Sequence, residues 1–151
     1  MSDIVQLKEN GVLKYLKTHA KAVENLDTTI QTAIKNALLN RGTKLWSGAF
    51  WLSADQTITP TKPLSQCENG WVIVTEVYRD SGAGGGDVDY HFIPKAPIAT
   101  HTGQNHKLMT FTAAGTPVYK QIYITDTNFK GNASNSTGDN GKIVFSEVWA
   151  W

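Results

Sequence analysis

The chain lacks the features that define several large classes of protein. It has one cysteine, Cys67, which excludes an internal disulfide framework and a cysteine-rich metal site. It has no long apolar run and a polar start, MSDIVQLKENG, so we expect neither a membrane span nor a signal peptide. Its net charge is only +1, from 14 basic and 13 acidic residues. Without a basic stripe to neutralise phosphates, nucleic acid is not an expected partner.

What the chain does contain favours β-structure. Its 151 residues suit one compact domain with a small appendage. Apolar residues make up 40% and charged residues 18%, with Ser, Thr, Asn and Gly filling much of the rest. That mixture is typical of a β-rich domain with a hydroxyl-coated surface.

Residues 43–151 predict an antiparallel β-sandwich, jelly-roll-like in type. Six segments are rich in aromatic and β-branched residues and are separated by Gly, Pro, Asn and Asp. They read LWSGAFWL, GWVIVTEVY, VDYHFI, KLMTFT, KQIYIT and GKIVFSEVWAW. The five prolines fall at the ends of these runs, where proline disturbs a ladder least.

Residues 1–17 predict a short β-hairpin that serves as an attachment segment. Two apolar-polar stretches lie on either side of Glu9-Asn10-Gly11. Asn-Gly is a strong signal for a two-residue hairpin turn. Because a lone two-stranded ribbon is only marginally stable, we expect this one to pair with something else.

Residues 18–42 predict an amphipathic helix that forms a coiled coil. The seam residues recur at alternating steps of three and four: Val23, Leu26, Ile30, Ala33 and Ala37. So narrow a seam usually faces copies of itself, and Ile34 and Leu38 widen it in favour of three chains. We therefore predict a homotrimer. The alternative is a helix packed on its own β domain.

Several phrases of the sequence resemble tail proteins of phages that infect Gram-positive bacteria. GVLKYLKTHAKAVENL is similar to a segment that precedes a coiled coil in those proteins, with Leu16 where proline is usual. LWSGAFWLSADQTITPTKPLSQCENGWVIV and YITDTNFKGNASNSTGDNGKIVFSEVWAW resemble the head domain of their receptor-binding proteins and tail fibres. The resemblance implies a trimeric virion tail protein, made in the bacterial cytoplasm, with other tail or baseplate proteins as partners. Its head would touch host cell-wall glycan.

A glycan ligand would suit one stretch of the sequence in particular. Sugar sites pair aromatic rings with carboxylates, amides and hydroxyls. YRDSGAGGGDVDYH offers such groups in what reads as a glycine-rich loop between strands. The predicted ligand contacts are Tyr78, Arg79, Asp80, Asp87, Asp89, Tyr90, His91 and, as an exposed ring, Trp51. Arg79 could also meet the phosphate of a teichoic acid. The alternative is a solvated hairpin tip whose tyrosines pack on the sheet.

Two other motifs carry less functional signal. GNASNSTGDNG predicts a fixed turn built by hydrogen bonds from side chains to the backbone, with glycan contact as the less favoured reading. His101 and His106 lie in THTGQNH without a third ligand at a recognised spacing. We expect no bound metal and no cofactor.

The sequence does not predict an enzyme. Glycan hydrolysis needs two carboxylates across the scissile bond. Asp87 and Asp89 alternate on one strand, but glycines flank them and nothing indicates a cleft that would raise one pKa. No nucleophile elbow or Gly-rich phosphate loop is present in the sequence. The favoured function is a non-enzymatic receptor-binding head. The alternatives are a structural tail or baseplate adaptor and a fragment of a polysaccharide depolymerase.

Overall fold

A computed structural model describes residues 8–13, 25–36, 42–79 and 82–151. The chain divides into two units, Met1–Leu39 and Asn40–Trp151. Within the described ranges, no helix is both long and apolar enough to cross a bilayer.

The first unit contains a small hairpin. Strands β1 (Lys8–Glu9) and β2 (Val12–Leu13) pair antiparallel. Between them, Asn10 has φ 51° and Gly11 has φ 77°. Positive φ at both central residues is the requirement of the turn that the Asn-Gly pair predicts, and Asn and Gly are the residues that adopt it at least cost.

The first unit also contains helix α1, residues 25–36, whose apolar stripe is exposed, as are all its other residues. Leu26 is 60% exposed, Ile30 is 47% exposed and Ile34 is 54% exposed. Ala33 is exposed as well. The other two predicted seam residues, Val23 and Ala37, lie outside the described residues. In the described part of the chain, the stripe is therefore an uncovered apolar surface.

The second unit is mainly β and consists of two antiparallel four-stranded sheets. In the first sheet the strand order is β3-β10-β5-β6, and in the second it is β4-β9-β8-β7. The strands are β3 (Lys44–Phe50), β4 (Thr57–Ile58), β5 (Gly70–Arg79), β6 (Gly82–Pro94), β7 (Asn105–Phe111), β8 (Pro117–Ile124), β9 (Phe129–Lys130) and β10 (Ile143–Ala150). The predicted mainly-β class is confirmed.

The six predicted strand segments are all present, as β3, β5, β6, β7, β8 and β10. The sequence misses β4 and β9, because each has two residues and a two-residue strand shows no alternation. It also misses helix α2 (Lys95–Thr100), which joins β6 to β7 and carries Pro97 in its first turn. Proline is tolerated there because the first N–H groups of a helix have no partner within it.

The core lies between the sheets and is built around three aromatic rings. The Phe129 ring lies 6.0 Å from the Trp71 ring and 6.0 Å from the Phe145 ring, measured between centroids. Phe129 belongs to the second sheet and the other two rings to the first, so the cluster joins the two sheets. All three residues are 0% exposed. Burial of these rings, together with the aliphatic side chains of the same cluster, stabilises this unit.

Candidate functional site

The glycine run 82–86 belongs to a strand, where the sequence predicts a loop between two strands. Strand β5 continues to Arg79, and β6 already begins at Gly82. The pairing register between β5 and β6 shifts here, because Tyr78 pairs with Ala83 whereas Glu76 pairs with Val88. Four residues of β6, 84–87, therefore lie opposite the single β5 residue Val77. Gly86, with φ 84°, accommodates this bulge. The glycines therefore allow an irregular ladder, and an open binding loop does not form.

The predicted ligand residues of this hairpin are divided between different surroundings. Arg79 and Asp87 are both exposed and lie 3.9 Å apart as an ion pair. Tyr90 is 64% exposed, on the outer face of the first sheet. Asp80 lies outside the described residues.

Asp89 and His91 face the interior, toward the second sheet. One Asp89 carboxylate oxygen accepts hydrogen bonds from the Thr110 hydroxyl and, at 3.1 Å, from the Phe111 N–H. His91 Nε2 lies 2.9 Å from the hydroxyl of buried Thr75. Burial lowers the pKa of His91, and the Asp89 charge partly opposes that effect. Asp89 therefore links β6 to β7, His91 is bonded to β5, and neither side chain lines a surface site.

Trp51 and Tyr78 pack against each other. Their ring centroids are 4.9 Å apart, and Trp51 Nε1 donates a hydrogen bond of 2.8 Å to the Gly141 carbonyl. Both residues are half-buried. The expectation that Trp51 would be an exposed ring is not met, because its ring covers Tyr78 and its N–H is already bonded.

A second surface, an open groove, lies on the outer face of the second sheet. We name it the β8 groove. Its volume is about 650 Å³, and it lies between the β7–β8 ladder and the segment 131–142, named here the asparagine-rich segment. Its polar and aromatic lining comprises Lys107, Tyr119, Gln121, Thr137, Asp139 and Asn140.

The asparagine-rich segment takes the place of a missing strand beside β8. Strand β9 pairs only with Tyr123 and Ile124 of β8, which leaves the backbone nearer residues 119–121 without a strand on that side. The buried Asn135 amide fills the gap, since its Oδ1 accepts from Gln121 N–H at 2.7 Å and its Nδ2 donates to Gln121 O at 2.8 Å. Asn140 Oδ1 accepts from Tyr119 N–H at 3.2 Å. Side-chain amides thus satisfy the strand edge.

The same segment is tied to the end of the β3 region. Asn135 Nδ2 also donates to the Leu52 carbonyl, at 2.8 Å. Leu52 has φ 58°, an uncommon conformation for a branched residue. At Gly131 the backbone passes so close that an added Cβ would lie 1.7 Å from Leu52 O. These contacts fix one wall of the β8 groove.

Lys120 is buried beneath the asparagine-rich segment and is hydrogen-bonded to it. Its side chain is 0% exposed, and Nζ donates to the carbonyls of Asn135 at 2.7 Å and Asn140 at 2.6 Å. The Phe145 ring centroid lies 6.0 Å from Nζ. Among the described residues, no carboxylate forms an ion pair with this ammonium. Because burial disfavours the charged form, the pKa of Lys120 falls to about 7.

Part of this site is predictable from the sequence. It predicts the fixed turn in GNASNSTGDNG, and the bonds of Asn132, Asn135 and Asn140 confirm it. Asn132, for example, caps the turn Ala133–Ser136 by accepting a hydrogen bond of 3.0 Å from Ser134 N–H. Sequence reasoning missed Tyr119 and Gln121. Their alternation with buried Val118, Lys120 and Ile122 was the available signal for an outward face.

Comparison with known proteins does not supply a relative. No protein-family model, curated protein or solved structure matches this chain. The resemblance to phage tail proteins therefore remains a prediction.

We expect Asn135→Leu to destabilise the second unit strongly. The change keeps a similar volume but leaves the N–H and the carbonyl of Gln121 without a partner, while the Leu52 carbonyl keeps only its bond from Asn132 N–H. Each unsatisfied buried group costs about 1–3 kcal/mol, so the free energy of unfolding should fall by about 2 kcal/mol or more. Urea denaturation followed by tryptophan fluorescence measures it.

Asn128→Leu is the matched control for that experiment. Its side-chain amide makes one exposed hydrogen bond, to Thr127, so the loss should stay near 0.5 kcal/mol. Equal losses in the two variants would show that the asparagine-rich segment is not held by the Asn135 amide.

We expect Lys120 to make stability rise with pH. Its pKa is about 7 in the folded chain and near 10.5 when unfolded. Between those values the unfolded chain holds one proton more, so raising the pH favours the folded state by up to about 1.4 kcal/mol per pH unit. The difference in unfolding free energy between the wild type and Lys120→Met should grow in favour of the wild type from pH 7 to pH 10.

Subtracting the unfolding free energy of Lys120→Met from that of the wild type cancels the contribution of every titratable group that the two chains share. Below pH 7 the difference should be flat, because Lys120 is then protonated in both states. A difference that stayed flat up to pH 10 would mean that the folded chain leaves the pKa of Lys120 near its ordinary value.

Proposed function

We propose that this chain is the receptor-binding head of a phage or phage-like tail. In this proposal it is a homotrimer without enzymatic activity, and it attaches the particle to cell-wall glycan of a Gram-positive bacterium. The observation that carries the proposal is the exposed apolar stripe of α1, which precedes a β-sandwich in the chain. Phrases that resemble phage tail proteins accompany both parts.

The stripe supports assembly because its exposure is costly. Leu26, Ile30 and Ile34 recur at the interval of four residues that places side chains on one helix face. A helix of this length is marginal in water unless such a face is buried. Copies of the same helix bury it symmetrically, as in a coiled coil.

A second apolar surface on the sandwich supports the same proposal. Most exposed large apolar side chains of the second unit lie on β6 and β7, the strands at one end of each sheet. They are Val88, Tyr90, Phe92, Met109 and Phe111. The bonds from Thr110 and Phe111 to Asp89 hold these two edge strands beside each other, with the β6 side chains on the outer face of the first sheet and the β7 side chains on that of the second. The five side chains are named here the apolar band. Exposed edges with apolar side chains are usually covered in an assembly.

The absence of catalysis is part of the proposal and has its own support. Among the carboxylates considered for hydrolysis, Asp87 is paired with Arg79 on the surface, while Asp89 accepts bonds from Thr110 and Phe111. The two groups therefore have different surroundings and do not flank a common cleft. Attachment needs no such pair of carboxylates. It needs affinity, and three weak sites on one trimer, displayed many times on a particle, bind with high avidity.

The alternative function is a structural adaptor, in which the apolar band docks another virion protein. That reading uses the same exposed side chains of β6 and β7. It differs from the main proposal in one measurable respect, because an adaptor has no affinity for cell walls that carry no protein.

The assembly prediction concerns Ile30. We expect the wild type to have three times its 16.6 kDa chain mass by light scattering at micromolar concentration. Ile30→Asp should shift that mass toward the monomer, because three carboxylates would meet at one level of the seam.

Thr32→Asp is the matched control, since residue 32 is exposed on the opposite side of α1. It introduces the same charge, and the residue it replaces has a helix propensity similar to that of isoleucine. A monomeric wild type, or equal effects of the two aspartates, would contradict the seam.

The attachment prediction concerns cell walls stripped of protein. The wild type should sediment with walls from at least one species in a panel of Gram-positive bacteria. The monomeric Ile30→Asp variant should bind the same walls at least about tenfold more weakly, because it loses avidity. No sedimentation with any wall would support the adaptor, and steady release of reducing sugar from the walls would support a depolymerase.

A further inference from the structure

The β8 groove is separate from the hairpin that the sequence selects. It opens on the outer face of the second sheet, whereas Tyr90 of the hairpin lies on the outer face of the first. Its two walls come from elements distant in sequence, the β7–β8 ladder and the asparagine-rich segment. Such a site exists only in the folded chain.

An aromatic ring lines the groove and is free to stack. Tyr119 is 51% exposed, and its backbone N–H is held by Asn140. Its cross-strand neighbour on the same face is Met109, which is 52% exposed. An exposed ring on a fixed strand is a platform for the C–H face of a sugar ring, since it binds an apolar face at little cost in side-chain entropy.

Polar groups stand on both sides of that ring. Lys107 and Gln121 are cross-strand partners on the ladder, and Asp139 belongs to the facing wall. The Gln121 amide is held in one orientation by a bond from Asn105 at 2.9 Å and a bond to Ser134 at 3.0 Å. Asp139 is in turn paired with Lys142 at 2.7 Å, which leaves further lone pairs on its carboxylate.

This arrangement discriminates among classes of ligand. A purely apolar molecule would remove water from the charged Lys107 and Asp139 without offering either a hydrogen bond, at a high cost. A polyanion would gain from Lys107 but has no hydroxyl donor for the lone pairs that Asp139 keeps beside its pair with Lys142. A neutral polyhydroxylated ring suits both, because hydroxyl groups donate to a carboxylate and accept from an ammonium.

Resting on the proposed function, we propose that the β8 groove binds a neutral saccharide ring of the cell-wall polymer, stacked on Tyr119 and hydrogen-bonded by Asp139, Gln121 and Lys107. The walls of the groove are set before the ligand arrives, because Asn135, Asn140 and Lys120 hold the asparagine-rich segment in place. The ordering cost of binding is therefore small.

The test compares two pairs of variants in the full chain. The groove pair is Tyr119→Ala and Asp139→Asn, and the hairpin pair is Arg79→Gln and Asp87→Asn. All four side chains are exposed, so each variant should fold, and light scattering and thermal melting verify the trimer. Binding is measured by sedimentation with the protein-stripped walls that the wild type binds. The groove pair should lose at least about tenfold in affinity, and the hairpin pair should keep it.

Each other result of that comparison overturns an identified part of the proposal. If the groove pair binds like the wild type, or both pairs lose equally, the assignment to the groove fails while wall binding by the wild type leaves the proposed function standing. If the wild type binds no wall, the proposed function itself fails. Asp139→Asn keeps the shape of the side chain, so its result stands even where Tyr119→Ala disturbs the sheet.

A competition experiment tests the ligand class. A panel of neutral monosaccharides, with N-acetylglucosamine, glucose, galactose and rhamnose, is added at millimolar concentration to the wild type bound to walls. At least one sugar should release the wild type from the walls. None should release the Tyr119→Ala protein that still binds them. Release by glycerol 3-phosphate but by no neutral sugar would overturn the neutral class in favour of a teichoic acid.

Discussion

This face of the sandwich depends on the hydrogen bonds of Lys120 Nζ, which is buried beneath the asparagine-rich segment. It donates to the carbonyls of Asn135 and Asn140, and so orders a segment that has no regular strand of its own. A buried charge without a carboxylate partner is costly, and the lowered pKa of Lys120 expresses that cost. What offsets it is the ordering of carbonyls that would otherwise be unsatisfied in the interior.

The consequence for function is a rigid groove wall made from residues that look like a flexible linker. Asn135 substitutes for a strand by bonding both backbone groups of Gln121, and the neighbouring Gln121 side chain lines the groove. The interaction that stabilises the sheet edge therefore also positions the candidate ligand contacts. Preorganisation of this kind favours weak but specific recognition, which suits a protein that binds through several copies.

Two exposed apolar surfaces remain to be covered, and each belongs to a different unit. The stripe on α1 includes Ile30, and the band on β6 and β7 includes Phe92 and Phe111. The proposed self-association would cover both without a second kind of chain. The proposed trimer thus gives a role to the exposed apolar side chains, and the proposed saccharide site gives a role to the polar and aromatic side chains of the β8 groove.

The sequence alone determined the class of the fold and most of its strands, because alternation of apolar side chains and the placement of Gly and Pro are local signals. It also determined the fixed turn around Asn132. Tertiary structure decided which side chains share a surface: it turned Asp89 and His91 inward, packed Trp51 on Tyr78, and brought Asp139 opposite Lys107. Strand register and the packing of distant segments fix these relations, and neither is encoded in any short stretch of chain.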